Sequence, residues 1–160
     1  MGIIEHLNQS PFRELVGIEI TDIEEGRAEG RLPLEQKHSS RRGDLIAQGG
    51  VAFTLADSVG GAAAISLEGR PTPTIDFRID YLRPATTDLR AIGEVTRSGS
   101  ETSVVDVVVT GELVEIPLDP SREVRVAWLP FAGARVLPSR HAKPVVVAVT
   151  GAFHMSGRRL

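Results

Sequence analysis

The chain has 160 residues, of which 24% are charged, with a formal net charge of -3 and a pI near 5.8. This balance excludes the basic surface of nucleic-acid-binding proteins, and the length suits one domain. The lack of cysteine excludes disulfides, thiol nucleophiles and cysteine-ligated zinc. The four histidines are scattered without ligand spacing, so we expect neither a metal site nor a cofactor. The first residues lack the pattern of a secretory leader, which favours a cytoplasmic protein.

The N-terminal region predicts a broken helix followed by a hairpin. Apolar residues between Ile3 and Leu15 have a loose helical spacing, which Pro11 interrupts. Apolar and polar residues then alternate over 16–23 and 27–34, with a turn signal at Glu25–Gly26 between the two runs. This alternation predicts two antiparallel strands. A polar loop, 35–44, follows.

The segment from Gly49 to Leu67 is the most informative part of the chain. Its polar side chains are Thr54, Asp57, Ser58 and Ser66. A helix that is apolar all round is a buried helix, and a buried carboxylate is costly unless it is partnered or used. The segment is rich in alanine and glycine, carries an acid at its centre and has strand-like sequence on both sides, so we predict a core helix and no membrane span.

The C-terminal half predicts strands over 74–82, 89–95, 103–109 and 144–153. Strands joined by short turns, together with one long buried helix, indicate an α+β fold in which an antiparallel sheet wraps around a central helix. We expect 1–160 to form a single domain with an atypical insertion at 113–143. Within that insertion, 124–129 has the pattern of an additional strand.

Three motifs resemble those of hotdog-fold acyl-CoA thioesterases of the phenylacetate-pathway (PaaI) type. Gln48-Gly49-Gly50 is similar to the family's His-Gly-Gly triplet, and Asp57 follows at the family's spacing of nine residues. The run 80–85, Asp-Tyr-Leu-Arg-Pro-Ala, is similar to the family's strand end, and 97–100 to its next turn. The resemblance covers roughly 12–110 and the last strand. It implies a hotdog fold.

The resemblance also implies an active site between two subunits. The Gly49 N–H would polarise the thioester carbonyl, and Asp57 of the partner subunit would act as nucleophile or general base. Thr74 would hydrogen-bond the water or the carboxylate, and Gln48 would orient the carbonyl. Arg83 and Arg97 would contact the phosphates of CoA. The implied substrate-binding residues are Gly50, Phe53, Thr54, Arg83, Arg97, Ser98 and Gly99.

We therefore predict an acyl-CoA thioesterase acting on a small, aromatic or medium-chain acyl group. We expect a homo-oligomer, a dimer or a dimer of dimers (homotetramer), with neither nucleic acid nor membrane as a partner. The chain departs from the family where Gln48 replaces a histidine. The family's asparagine is either replaced by Arg42 or displaced within the loop 39–44. The alternative is a non-catalytic acyl-CoA-binding or regulatory hotdog protein, in which Asp57 is structural. An enoyl-CoA hydratase is disfavoured because its Asp-His pair is absent.

Overall fold

The structure, a computed structural model, describes residues 2–111 together with the backbone of 145–154. Two short helices come first, and one long helix separates a hairpin from the remaining strands. The elements are α1 (Ile3–Asn8), α2 (Pro11–Val16), β1 (Glu19–Glu24), β2 (Arg27–Leu32), α3 (Gly49–Glu68), β3 (Thr74–Tyr81), β4 (Leu89–Ser98), β5 (Thr102–Gly111) and β6 (Val145–His154), with a 3₁₀ turn at Gln36–His38.

The described strands form one antiparallel sheet of six strands in the order β1-β2-β4-β5-β6-β3. The predicted hairpin is confirmed as β1 and β2, and β3 lies at the far edge of the sheet beside β6. The insertion and the additional strand predicted within 113–143 lie outside the described residues.

The long helix α3 packs across one face of this sheet. Its buried side includes Leu55, Ala56, Val59 and Ala63, none of which has measurable exposure. The helix is long and apolar enough to cross a membrane, but in the structure these side chains lie against the sheet. The predicted core helix is confirmed.

Close approach of α3 to the sheet depends on small residues in β2 and β4. Gly30 pairs with Ala91, and Ala28 pairs with Gly93, which produces a flat patch. Val59 of α3 packs into that patch. A Cβ added to Gly30 would lie 2.7 Å from Val59 Cγ2 and 3.1 Å from the carbonyl oxygen of Glu19. The second of these atoms belongs to the backbone and cannot move aside easily.

Gly30→Ala is therefore expected to lower the free energy of unfolding by roughly 1–3 kcal/mol, the usual cost of adding a methyl group to a packed core. Urea unfolding followed by circular dichroism measures this change. The control is Gly2→Ala, since a Cβ at Gly2 would meet nothing within 4 Å. Equal stability of the two variants would contradict this account of the packing.

The first strand begins later than the alternation predicts. Val16 closes α2, and Gly17 ends that helix in the left-handed region with φ 83°. A left-handed C-terminal residue is a common way to end a helix, and glycine adopts it without strain. The chain therefore turns at Gly17 before β1 begins at Glu19.

Candidate active site

The N-terminus of α3 presents a backbone amide that has no acceptor among the described residues. Gln48 is the N-cap, and its side-chain Oε1 accepts the Gly50 N–H at 2.6 Å. The Gln48 carbonyl accepts the Val51 N–H at 2.9 Å. No atom within the described residues accepts the Gly49 N–H, because the first amides of a helix have no intrahelical partner. These amides and the positive end of the helix dipole suit an oxyanion.

The loop before α3 is fixed by a buried histidine. His38 Nε2 donates to the Val16 carbonyl at 2.6 Å, and its Nδ1 accepts the Glu35 N–H at 2.9 Å. The His38 carbonyl accepts the Gln48 N–H at 2.9 Å. The histidine therefore has a structural role in placing Gln48.

A groove of about 340 Å³ opens beside the Gly49 amide. Tyr81 forms part of its wall and is 54% exposed, and the Tyr81 hydroxyl donates to the Gly49 carbonyl at 2.9 Å. The Ala47 N–H donates to the Ala85 carbonyl at 2.8 Å, which joins the two sides of the groove. The residues lining the groove are Ala47, Gly49, Ala52, Tyr81, Leu82, Arg83, Pro84 and Ala85.

The structure brings Asp57 and Thr74 together. The Thr74 hydroxyl donates to Asp57 Oδ1 at 2.6 Å, a length typical of a charge-assisted bond. Asp57 was expected to be buried, but in the structure its side chain is half-buried, because the sheet covers the opposite side of α3. Thr74 therefore binds only one of the two carboxylate oxygens of Asp57.

Arg13 places a positive charge near Asp57. The guanidinium is half-buried, and its Nη1 donates to the Leu7 carbonyl at 2.6 Å. Burial lowers the pKa of Arg13, and the Asp57 carboxylate partly opposes this by raising it. The sequence offers no signal for this neighbour, because Arg13 lies on a separate short helix.

Three residues predicted to bind substrate lie around the first half of α3. Phe53 makes an edge-on contact with Phe77, with ring centroids 4.9 Å apart and planes at 73°. Thr54 donates its hydroxyl to the Gly50 carbonyl at 2.8 Å. Gly50 itself is exposed, and its N–H is bound by Gln48. These contacts order the helix surface between Gly49 and Asp57.

The candidate phosphate contacts lie at opposite ends of α3. Arg83 is exposed in the groove beside Gly49. Arg97, Ser98 and Gly99 are exposed at the end of β4, where the Ser98 hydroxyl donates to Glu68 at 2.6 Å. Glu68 is the last residue of α3, so roughly 28 Å of helix separates it from Gly49. One chain does not bring these two groups together.

Comparison with known proteins identifies the family. The model of the thioesterase superfamily matches residues 46–112, which run from the start of α3 to the end of β5. A Halobacterium salinarum protein provisionally named an esterase is 37% identical over 114 residues, covering 67% of this chain and 74% of that protein. The chain belongs to the thioesterase superfamily. The predicted family and its class of thioester hydrolases are confirmed.

Solved structures of other proteins have the same fold. PaaI from the phenylacetic acid degradation operon of E. coli superposes with a TM-score of 0.70 at 20% identity, covering 96% of this chain and 89% of that one. A Streptococcus mutans protein bound to acetyl CoA superposes with a TM-score of 0.65 at 24% identity, covering 89% and 91%. The predicted hotdog fold is therefore confirmed.

Proposed function

We propose that this thioesterase-superfamily member hydrolyses acyl-CoA thioesters, with Asp57 and the Gly49 amide as the reacting groups. The proposal rests on the Asp57–Thr74 pair, which lies on the side of α3 that the sheet leaves open. A carboxylate held by a hydroxyl can accept a proton from water or attack a carbonyl carbon. The acetyl CoA bound by the Streptococcus mutans protein supports a CoA thioester as the substrate class.

In the general-base route, Asp57 takes a proton from water, and the oxygen of that water attacks the thioester carbon. The carbonyl oxygen becomes an oxyanion that the Gly49 N–H stabilises. The carbon–sulfur bond then breaks, and Asp57 gives its proton to the leaving sulfur, so that CoA is released as the thiol. In the nucleophilic route, Asp57 attacks the carbon directly, the thiolate leaves, and water hydrolyses the resulting anhydride. Both routes use the same two groups.

The spacing along α3 favours a site shared between two copies. Asp57 lies eight positions after Gly49, or about 12 Å along the axis at the helical rise. Reacting atoms must approach to within about 3.5 Å, so one copy of α3 does not supply both groups to one thioester. Strand β3 lies at the edge of the sheet formed by the described strands, with Thr74, Ile75 and Asp76 exposed, and such an edge is suited to pairing with a second copy.

The direct test is thiol release from a panel of small, aromatic and medium-chain acyl-CoAs. Turnover of any member supports a thioesterase, and the most efficient member identifies the acyl class. We expect turnover that depends on Asp57. Binding of the acyl-CoA without turnover would instead support the non-catalytic alternative, which would also account for the glutamine at position 48.

Complementation tests the shared site. Asp57→Asn lacks the reacting carboxylate, and Gly49→Pro lacks the reacting N–H. After co-refolding, a mixed symmetric dimer contains one intact site and one doubly altered site, so an equal mixture should recover about a quarter of wild-type activity. Each variant alone supplies the control. If the co-refolded mixture is no more active than its components, both groups must act within one chain.

A further inference from the structure

The amide that would bind the oxyanion lies next to two residues with few intrinsic conformational restrictions. Gly49 and Gly50 are consecutive, and glycine has the widest range of accessible dihedral angles. The first amides of a helix also lack the hydrogen bonds that hold its interior. A catalytic N–H works best when it is already oriented, since reorientation during the reaction costs energy. Some other contact must therefore hold this backbone.

Two side chains hold the same peptide group from opposite ends. The peptide between Gly49 and Gly50 carries the Gly49 carbonyl and the Gly50 N–H. The Tyr81 hydroxyl donates to that carbonyl at 2.9 Å, and Gln48 Oε1 accepts that N–H at 2.6 Å. The Tyr81 ring also packs on Gly49, where an added Cβ would lie 3.2 Å from the ring. Tyr81 and Gln48 thus restrict the peptide that follows the reacting amide.

We propose that Gln48 and Tyr81 are positioning residues that orient the Gly49 N–H through the Gly49–Gly50 peptide. This inference rests on the proposed thioesterase function. It gives Gln48 a different role from the one expected from sequence, because its side-chain oxygen binds the protein backbone in place of the substrate. It also gives a role to Tyr81, which lines the groove and contacts Gly49 although the two residues are 32 positions apart in the sequence.

The test is a double-mutant cycle of Tyr81→Phe and Gln48→Ala measured by steady-state thiol release. Tyr81→Phe keeps the ring contact and removes one hydrogen bond. The loss of one hydrogen bond, worth about 0.5–1.5 kcal/mol, corresponds to roughly a threefold to tenfold fall in kcat. We expect a similar fall for Gln48→Ala, with KM little changed in both. Because both side chains act on one peptide, the double variant should lose less than the product of the two single effects.

Conservative replacement and stability measurements separate positioning from general support of the helix. Gln48→Asn retains an amide oxygen that can cap a helix, so it should keep more of kcat than Gln48→Ala. Urea unfolding should show that Tyr81→Phe remains folded under the assay conditions. Wild-type kcat in Tyr81→Phe, or fully multiplicative effects in the double variant, would overturn the positioning role while leaving the thioesterase function intact. Absence of turnover in the wild type would overturn both.

Discussion

Asp57→Asn should lower kcat for acyl-CoA hydrolysis by a factor on the order of 10² or more, whether the carboxylate acts as base or as nucleophile. The amide keeps the size of the carboxylate and can still accept the Thr74 hydroxyl bond, which is 2.6 Å long in the wild type. It can neither take the proton from water nor form the anhydride. The measurement is steady-state thiol release, with acyl-CoA binding measured on the same preparation.

Thr74→Val is the matched control for this variant. It removes the hydroxyl that holds Asp57 but leaves the carboxylate in place, so we expect a loss of about tenfold, the lower end of the range for one hydrogen bond to a charged group. A wild-type rate in Asp57→Asn would exclude the proposed chemistry. A Thr74→Val loss as large as that of Asp57→Asn would show that the hydroxyl itself takes part in the reaction.

Gly49→Pro should lower kcat by about 10²–10³, the usual effect of removing one oxyanion-hole donor. Proline has no N–H, so this substitution deletes the reacting donor itself. The local backbone accepts proline, because Gly49 is the first residue of α3 and proline is favoured there. Gln48, the residue before it, is already extended at φ -64° and ψ 139°, as a residue preceding proline requires.

Gly49→Ala is the control for crowding against Tyr81. Proline and alanine both add a Cβ 3.2 Å from the Tyr81 ring, but alanine retains the N–H. The ratio of kcat between the two variants therefore reports the contribution of the N–H. Equal activity of Gly49→Pro and Gly49→Ala would show that the amide does not stabilise the oxyanion. Circular dichroism should show intact helix in both.

The long helix, the hairpin and the spacing of the candidate reacting groups all follow from the sequence. The apolar run from Gly49 predicted the core helix because a helix that is apolar all round is buried. Two-residue alternation predicted the hairpin because it marks the side of a strand that faces the core. The separation of Gly49 and Asp57 also follows from sequence, since both lie on one regular helix. The motif resemblance added the roles of these residues.

The tertiary structure decided which side chains meet across elements. Thr74 was predicted to serve the site, but its bond to Asp57 and the bond of Tyr81 to Gly49 depend on how β3 lies against α3. Likewise, the placement of Arg13 near Asp57 depends on the path of α2. Periodicity shows that a residue points toward or away from the core, but its contact with a residue of another element depends on packing. The groove, and the contact of Tyr81 that holds the backbone at Gly49, therefore follow only from the folded chain.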